Sequence, residues 1–415
     1  MRSFLWVPAV LALIAGIVAS PRDKTQTLIV GNGSEGYLSP CGCYKPMTGG
    51  LKRRATAIRQ LRKSQPNAAY VEMGPFSGGM DRQQEIKAET TAEILDELQP
   101  AAIGLAAEDA RLGLGMLESL QRLSGDRIVA SQLSNGWREF AAAGPVLTAS
   151  IDPKLEVEAA ALGAAFQPLE TVMDRLFVES EAADLAPAVL YQGDLEAARD
   201  FARKFPKVSL IIYRHKGNPP TELAWEGTTA LATAGEKGKH ILNLTFRDGR
   251  AVSQRVIALG PEYADDPDAA RLFSGYLERI GEEKLLEKLP RMKSSDFAGN
   301  KACQPCHTDA WDAWKNSKHA GALSTLENQG HDRDPDCVSC HVVGLEFEKG
   351  FQSRNLTPDL TDVGCESCHG PGAAHAADPY GSKMGEIGAE SCMKCHVPDH
   401  SPGFSFSEYW EKIKH

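Results

Sequence analysis

Short apolar runs that end in glycine punctuate the first 260 or so residues of this chain. Leu28-Ile29-Val30 runs into Gly31-Asn32-Gly33, and Ala69 to Met73 runs into Gly74. Each predicts a buried strand feeding a glycine loop. Between them, Leu51 to Lys63 has helical spacing and a basic face made by Lys52, Arg53, Arg54, Arg59, Arg62 and Lys63. Glu85 to Leu98 is amphipathic through Ile86, Ile94, Leu95 and Leu98, and Pro100 stops it. Ala102-Ile103-Gly104, Ile128 to Ser131 and Val208 to Tyr213 are further strands. Strands alternating with helices predict a mostly parallel sheet covered by helices, an α/β domain over residues 25–265. A charged helical stretch from Asp265 to Leu289, closed by Pro290, predicts a connector over 266–295.

After about Asp296 the pattern changes. Apolar periodicity fades, and Cys-x-x-Cys-His occurs four times: Cys303-Cys306-His307, Cys337-Cys340-His341, Cys365-Cys368-His369 and Cys392-Cys395-His396. This is the attachment sequence of c-type haem, in which the two thiols bond the macrocycle and the histidine ligates the iron. Zinc sites also combine cysteine pairs, but zinc has no need of a histidine after every second cysteine. A thioredoxin-like pair needs a strand-then-helix setting that these Gly- and Pro-rich surroundings lack. The motifs use eight of the ten cysteines and predict four covalent haems. Lys301 to His415 leaves about 29 residues per motif, too few for a side-chain core around each. The expectation is a mostly α and irregular multihaem domain over 296–415, with the haems as its core.

Composition narrows the partners. The formal net charge is −10, and haem propionates would make it more negative. That argues against nucleic acid or anionic lipid as the partner and suits redox partner proteins that present a basic patch. Residues 1–22 read as an export signal: Arg2 is followed by an uncharged apolar run from Phe4 to Ala19 and small residues at Val18-Ala19-Ser20. Pro21 directly after that site is a poor cleavage context, so a membrane anchor is the alternative reading. Export, to a periplasm or its equivalent, agrees with haem attachment outside the cytoplasm. Cys41-Gly42-Cys43 predicts a local crosslink, with metal ligation or a redox pair as the competing readings.

The C-terminal third resembles the cytochrome c-554 family of tetrahaem cytochromes. Ala302 to His307, Trp311 through Ser317-Lys318-His319-Ala320, Cys337 to Gly344 and Val363 to Gly372 with His375 carry the resemblance. The N-terminal part is similar to periplasmic nucleotidases of the calcineurin-like metallophosphoesterase superfamily. Gly31 to Leu38, Gly49 to Arg54, Val129 to Leu133 and Thr233 to Lys239 carry that one. The superfamily's metal-binding signatures are missing here. Where it has Asp-x-His, Gly-Asp and Gly-Asn-His, this chain has Asn32-Gly33-Ser34, Gly74-Pro75 and Gly104 to Asp109 without histidine. His215 and His240 are the histidines that precede the motifs, too few to hold two metals. The expectation is a metallophosphoesterase-like scaffold without catalysis.

His307, His341, His369 and His396 supply the fifth iron ligands. Five histidines remain for the sixth position: His319, His331, His375, His400 and His415. The c-554 resemblance implies His319 and His375 as iron ligands. His415 closes a helix-like stretch from Ser407 and is a third candidate. His331 and His400 lie in polar loops, where a solvated histidine is an equal reading. His375 follows His369 too closely to reach over the same haem, so it and His319 are expected to cross to neighbouring irons. Full bis-histidine ligation suits electron transfer, whereas an open site would admit a small nitrogen or oxygen species as ligand. An electron carrier is therefore the leading expectation, a small-molecule redox enzyme the alternative, and a phosphoesterase the least favoured.

Overall fold

The computed structural model describes residues 25–40, 47–134, 136–398 and 400–415. The expected export segment and the Cys41-Gly42-Cys43 loop lie outside the described residues. Among the described residues, twelve strands form two six-stranded sheets. The strands are β1 (Gln26–Gly31), β2 (Ala69–Met73), β3 (Ala102–Gly104), β4 (Ile128–Val129), β5 (Phe140–Ala143), β6 (Val146–Ile151), β7 (Ala186–Tyr191), β8 (Leu210–Tyr213), β9 (Ala224–Glu226), β10 (Thr229–Ala232), β11 (His240–Arg247) and β12 (Arg250–Ala258). One sheet has the order β12-β11-β1-β2-β3-β4 and the other β5-β6-β7-β8-β10-β9. The centre of each is parallel, as the strand–helix alternation predicts. Antiparallel strands β11, β12, β5 and β9 complete the edges.

The two sheets face one another. Leu28, Val30, Val71 and Leu244 of the first meet Ala141, Val146, Leu190, Leu210 and Ala230 of the second in one buried cluster. Outside the first sheet, Ile29, Tyr70 and Ile103 pack under the helices Leu51–Ser64, Arg82–Leu98 and Leu114–Leu123. Outside the second, Val189 and Ile211 pack under Leu169–Ala183 and Leu195–Lys204. The result is a helix–sheet–sheet–helix sandwich rather than the one covered sheet the pattern suggested. Both faces of the central strands are dry, so runs such as Val146–Ile151 show no alternation to read.

The helix Pro267–Glu282, expected as a connector, lies in the outer layer. Its Ala269, Phe273, Tyr276 and Ile280 are buried against the Leu51–Ser64 and Arg82–Leu98 helices. Asp266 caps its first turn and Pro267 sits at its start, where a missing N–H costs nothing.

Beyond Asp296 the chain folds as short helices and turns. A side-chain core does exist here, contrary to the expectation of haems alone. Leu323, Leu326, Val338, Val342, Val343, Leu345, Phe351 and Leu360 cluster around the second motif, with Leu286, Leu289 and Phe297 against them. Elsewhere the wrapping is thin: the helices Thr308–Lys315, Ala373–Ala377, Ala389–Met393 and Phe406–Trp410 have no buried residue.

Candidate functional site

Each attachment motif forms a short helical turn that projects its cysteines and histidine together. In the first, His307 N donates to Cys303 O at 3.0 Å, and in the fourth His396 N donates to Cys392 O at 2.9 Å. No two of the motif cysteines are joined as a disulfide. Cysteines from different motifs meet. The side chain of Cys303 lies against that of Cys365. Cys340 and Cys395 lie together likewise. The first motif therefore touches the third, and the second touches the fourth.

The histidine rings form three opposed pairs. His307 lies opposite His375 with ring centres 6.1 Å apart, His319 opposite His396 at 6.3 Å, and His369 opposite His415 at 6.1 Å. Two imidazoles on opposite sides of one metal, each bound at about 2.0 Å, would place their ring centres about 6.3 Å apart. Three of the six rings are also held in the right tautomer by a carbonyl. Carbonyls accept from Nδ1 of His375 (Ser382 O, 2.7 Å), His369 (Gly385 O, 3.4 Å) and His415 (Ile413 O, 3.0 Å), and Ser401 Oγ lies 3.2 Å from Nδ1 of His396. A proton held at Nδ1 leaves the Nε2 lone pair for iron. Burial lowers the pKa of His319, His369 and His396, which keeps the rings neutral and able to ligate. The residues present thus fit covalent haem c.

The pairing is crossed. His375 follows the third motif and faces the first; His319 follows the first and faces the fourth. His341 has the ligand tautomer too, its Nδ1 2.7 Å from Ala322 O, but among the described residues no histidine ring lies opposite it. His331 joins none of the three pairs. Its ring packs on Phe273 with centres 5.6 Å apart, and its Nδ1 lies 3.9 Å from Cys337 Sγ, so it is not a solvated loop histidine. His400 sits on the turn after the fourth motif, where its N–H donates to Val397 O at 3.0 Å, and it too lies outside the three pairs.

Side chains that sequence reasoning missed hold these segments together. Glu366, inside the third motif, accepts from Ala298 N and Gly299 N at 2.8 Å and from Gly372 N at 2.6 Å. Asn300 accepts from Cys365 N at 3.0 Å and donates to Thr361 O at 3.3 Å, locking the first motif to the third. No sequence spacing marks such partners, which lie more than 60 residues apart.

In the N-terminal domain the strand ends where a metal centre would form are filled by internal bonds. Asn32 Nδ2 donates to Gly235 O. The Arg54 guanidinium, 1% exposed, pairs with Glu72 at 2.8 Å and reaches Asn32 O at 3.4 Å. Tyr70 donates to the same Glu72. Asp109 accepts from Phe76 N at 2.7 Å, and Asp152 from Ala107 N at 2.7 Å. Glu108 is held by Arg214 at 2.8 Å. Among the described residues, no trio of His, Cys, Asp or Glu in this domain has its ligand atoms close enough to share a metal.

The comparisons with known proteins divide along the same boundary. Residues 302–370 match the family described as cytochrome c554 and c-prime. Cytochrome c-554 of Nitrosomonas europaea is 36% identical over 97 residues, which is 20% of this chain and 41% of that protein. The chain thus spans less than half the length of this curated relative. Among solved structures, the 5'-nucleotidase precursor of Thermus thermophilus superposes with a TM-score of 0.53 at 16% identity, covering 74% of this chain and 68% of its own. The sulfate thiohydrolase SoxB of the same organism gives 0.51 at 12% identity, covering 68% of each chain. NAD nucleotidase of Haemophilus influenzae gives 0.51 at 12%, covering 67% of this chain and 64% of its own. The C-terminal match covers the first three attachment motifs, and the likenesses at the other end show the fold alone. The chain joins a segment matching the cytochrome c554 family to a 5'-nucleotidase-like α/β fold.

Proposed function

We propose that this protein is an exported tetrahaem cytochrome c that passes electrons along closely spaced haems, and that its nucleotidase-like domain is not catalytic. The three histidine ring pairs carry the reading. Haem bound at the motifs supplies reversible one-electron chemistry at iron. The chain's own residues would supply the rest: His307 with His375, His319 with His396 and His369 with His415 would each hold a group between paired imidazoles, and Nδ1 bonds to carbonyls fix the ring orientation of His375, His369 and His415. Because His375 and His319 each serve a motif other than their neighbour's, ligation ties the attachment segments into one body. Contacts between Cys303 and Cys365 and between Cys340 and Cys395 support short distances between haems. His341, with no ring opposite it among the described residues, favours a second reading in which a small nitrogen or oxygen species binds at that haem.

Low-temperature EPR of the oxidised protein tests both readings. The expected spectrum counts three low-spin irons and one that is high-spin or weakly ligated. Substituting His375, His319 or His415 by Ala should each convert one low-spin iron, with covalent haem content held at four by pyridine haemochrome. Variants that keep the wild-type spin count would overturn the ligand assignment.

A further inference from the structure

The two halves of the chain meet at a buried polar joint beside the second attachment motif. Gln83 and Lys87 stand one turn apart on the Arg82–Leu98 helix, and Phe273 and Tyr276 share a face of Pro267–Glu282. Gln83 Nε2 donates to Asp334 Oδ1 at 2.7 Å and to Tyr276 Oη at 2.9 Å, and Tyr276 Oη donates to Asp334 Oδ2 at 3.1 Å. This closed triangle is dry, since Gln83, Tyr276 and Asp334 are all at most 7% exposed. Asp334 also caps the turn Pro335–Val338, which carries Cys337. Lys87 pairs with Asp336 on that turn, and His331, packed against Phe273, has its Nδ1 against Cys337 Sγ. Arg82 with Glu283, and Arg279 with Glu89, brace the two helices at the rim.

Simple adhesion between domains would be served by apolar area. A buried carboxylate held by donors from another domain is a weak source of stability and a strong source of registry. The joint converges on residues 331–337 and meets the one motif that also has a side-chain core. Charge, burial and rigidity around a haem set its potential.

We infer that the nucleotidase-like domain is a positioning wall for the haem attached at Cys337 and Cys340, and that Gln83, Lys87 and Tyr276 tune that haem through Asp334 and Asp336. This rests on the reading that the second motif carries haem. Gln83→Leu and Lys87→Met each remove a group that offsets negative charge beside this segment, which favours oxidised iron. Asp334→Asn removes the charge itself. In spectropotentiometric titrations of the full-length holoprotein, one of the four potentials should fall in Gln83→Leu and in Lys87→Met and rise in Asp334→Asn, while three stay in place. Lys87→Met leaves the Gln83–Tyr276–Asp334 triangle intact, so it serves even if Gln83→Leu fails to fold. Tyr276→Phe should shift the same haem as Gln83→Leu. Four haems whose potentials all stay at wild-type values, or all move together, would overturn the inference alone. Fewer than four covalent haems in the wild type would overturn the functional reading and this one with it.

Discussion

A histidine serves as an axial ligand when something else holds its second nitrogen, and a buried acid keeps its proton when nothing nearby compensates the charge. On the proposed haem reading, spacing marks the first kind of residue only in part. His307, His341, His369 and His396 were legible as candidates because each stands one position after a cysteine of an attachment motif. The partner of each ring was not, since His375 faces His307 and His415 faces His369 through turns that no local pattern encodes. The second kind is shown by Asp109, fully buried and without a paired cation. Loss of solvent lifts its pKa from 3.8 to about 7, against the opposing effect of the N–H groups of Phe76 and Ala106. The folded protein therefore binds this proton more tightly than the unfolded chain does. The resulting stability is fully present below about pH 4 and is lost as pH rises through about 7. Asp109→Asn keeps an acceptor for Phe76 N and removes the titration. Urea denaturation should show a flatter profile for the variant between about pH 4 and 7, the wild type losing about 2–4 kcal/mol more across that window. An unchanged slope would show that Asp109 is already ionised in the native state.

At the level of elements, the basic face of the helix Leu51–Ser64 would by charge alone suit solvent. Its cations are instead internal ties. Lys52 pairs with Asp265 at 2.7 Å, Arg59 with Asp266 and Asp268 at 3.1 Å, and Arg62 donates to the Leu98 and Gln99 carbonyls beyond the neighbouring helix. Arg54 points inward and pairs with Glu72 of β2, joining helix to sheet. Removing one member of a buried pair strands the other charge, at a cost of about 3–5 kcal/mol. Arg54→Met should cost that much in chemical denaturation, and adding Glu72→Leu should recover part of it. A double variant less stable than the single would mean that the pair adds more than it costs to desolvate. The strands divide in the same way between legible and hidden. Leu28-Ile29-Val30 and Ala69 to Met73 stood out because glycine loops bound them. Val146–Ile151 and Ala186–Tyr191 did not, because they are small-residue runs buried on both faces, with no period to distinguish strand from helix.

Across the whole molecule, a 5'-nucleotidase-like α/β fold is joined to a segment that matches a cytochrome family, and the strand ends of the α/β domain are closed by bonds within the protein. Two-metal hydrolysis needs ligands that fix both ions and the attacking water. At the position of an Asp-x-His, Asn32 turns to Gly235 and a guanidinium stands behind it; at the position of a Gly-Asn-His, Asp109 accepts from Phe76 N, and Ala107 N donates to Asp152, just after β6 of the second sheet. Adding metal would have to break these bonds before it could gain any ligand. Assays of the purified protein with nucleotides and a chromogenic phosphate ester, across Mn, Zn, Mg and Ca, should therefore show no metal-dependent turnover at ordinary enzyme rates, about 1 per second or more. Metals should also leave the thermal midpoint of the domain in place, because a site that binds must stabilise the folded state by mass action. Metal-dependent turnover, or a midpoint that climbs with metal concentration, would mean that the bonds at Asn32, Asp109 and Asp152 open in solution and that the scaffold has kept its chemistry.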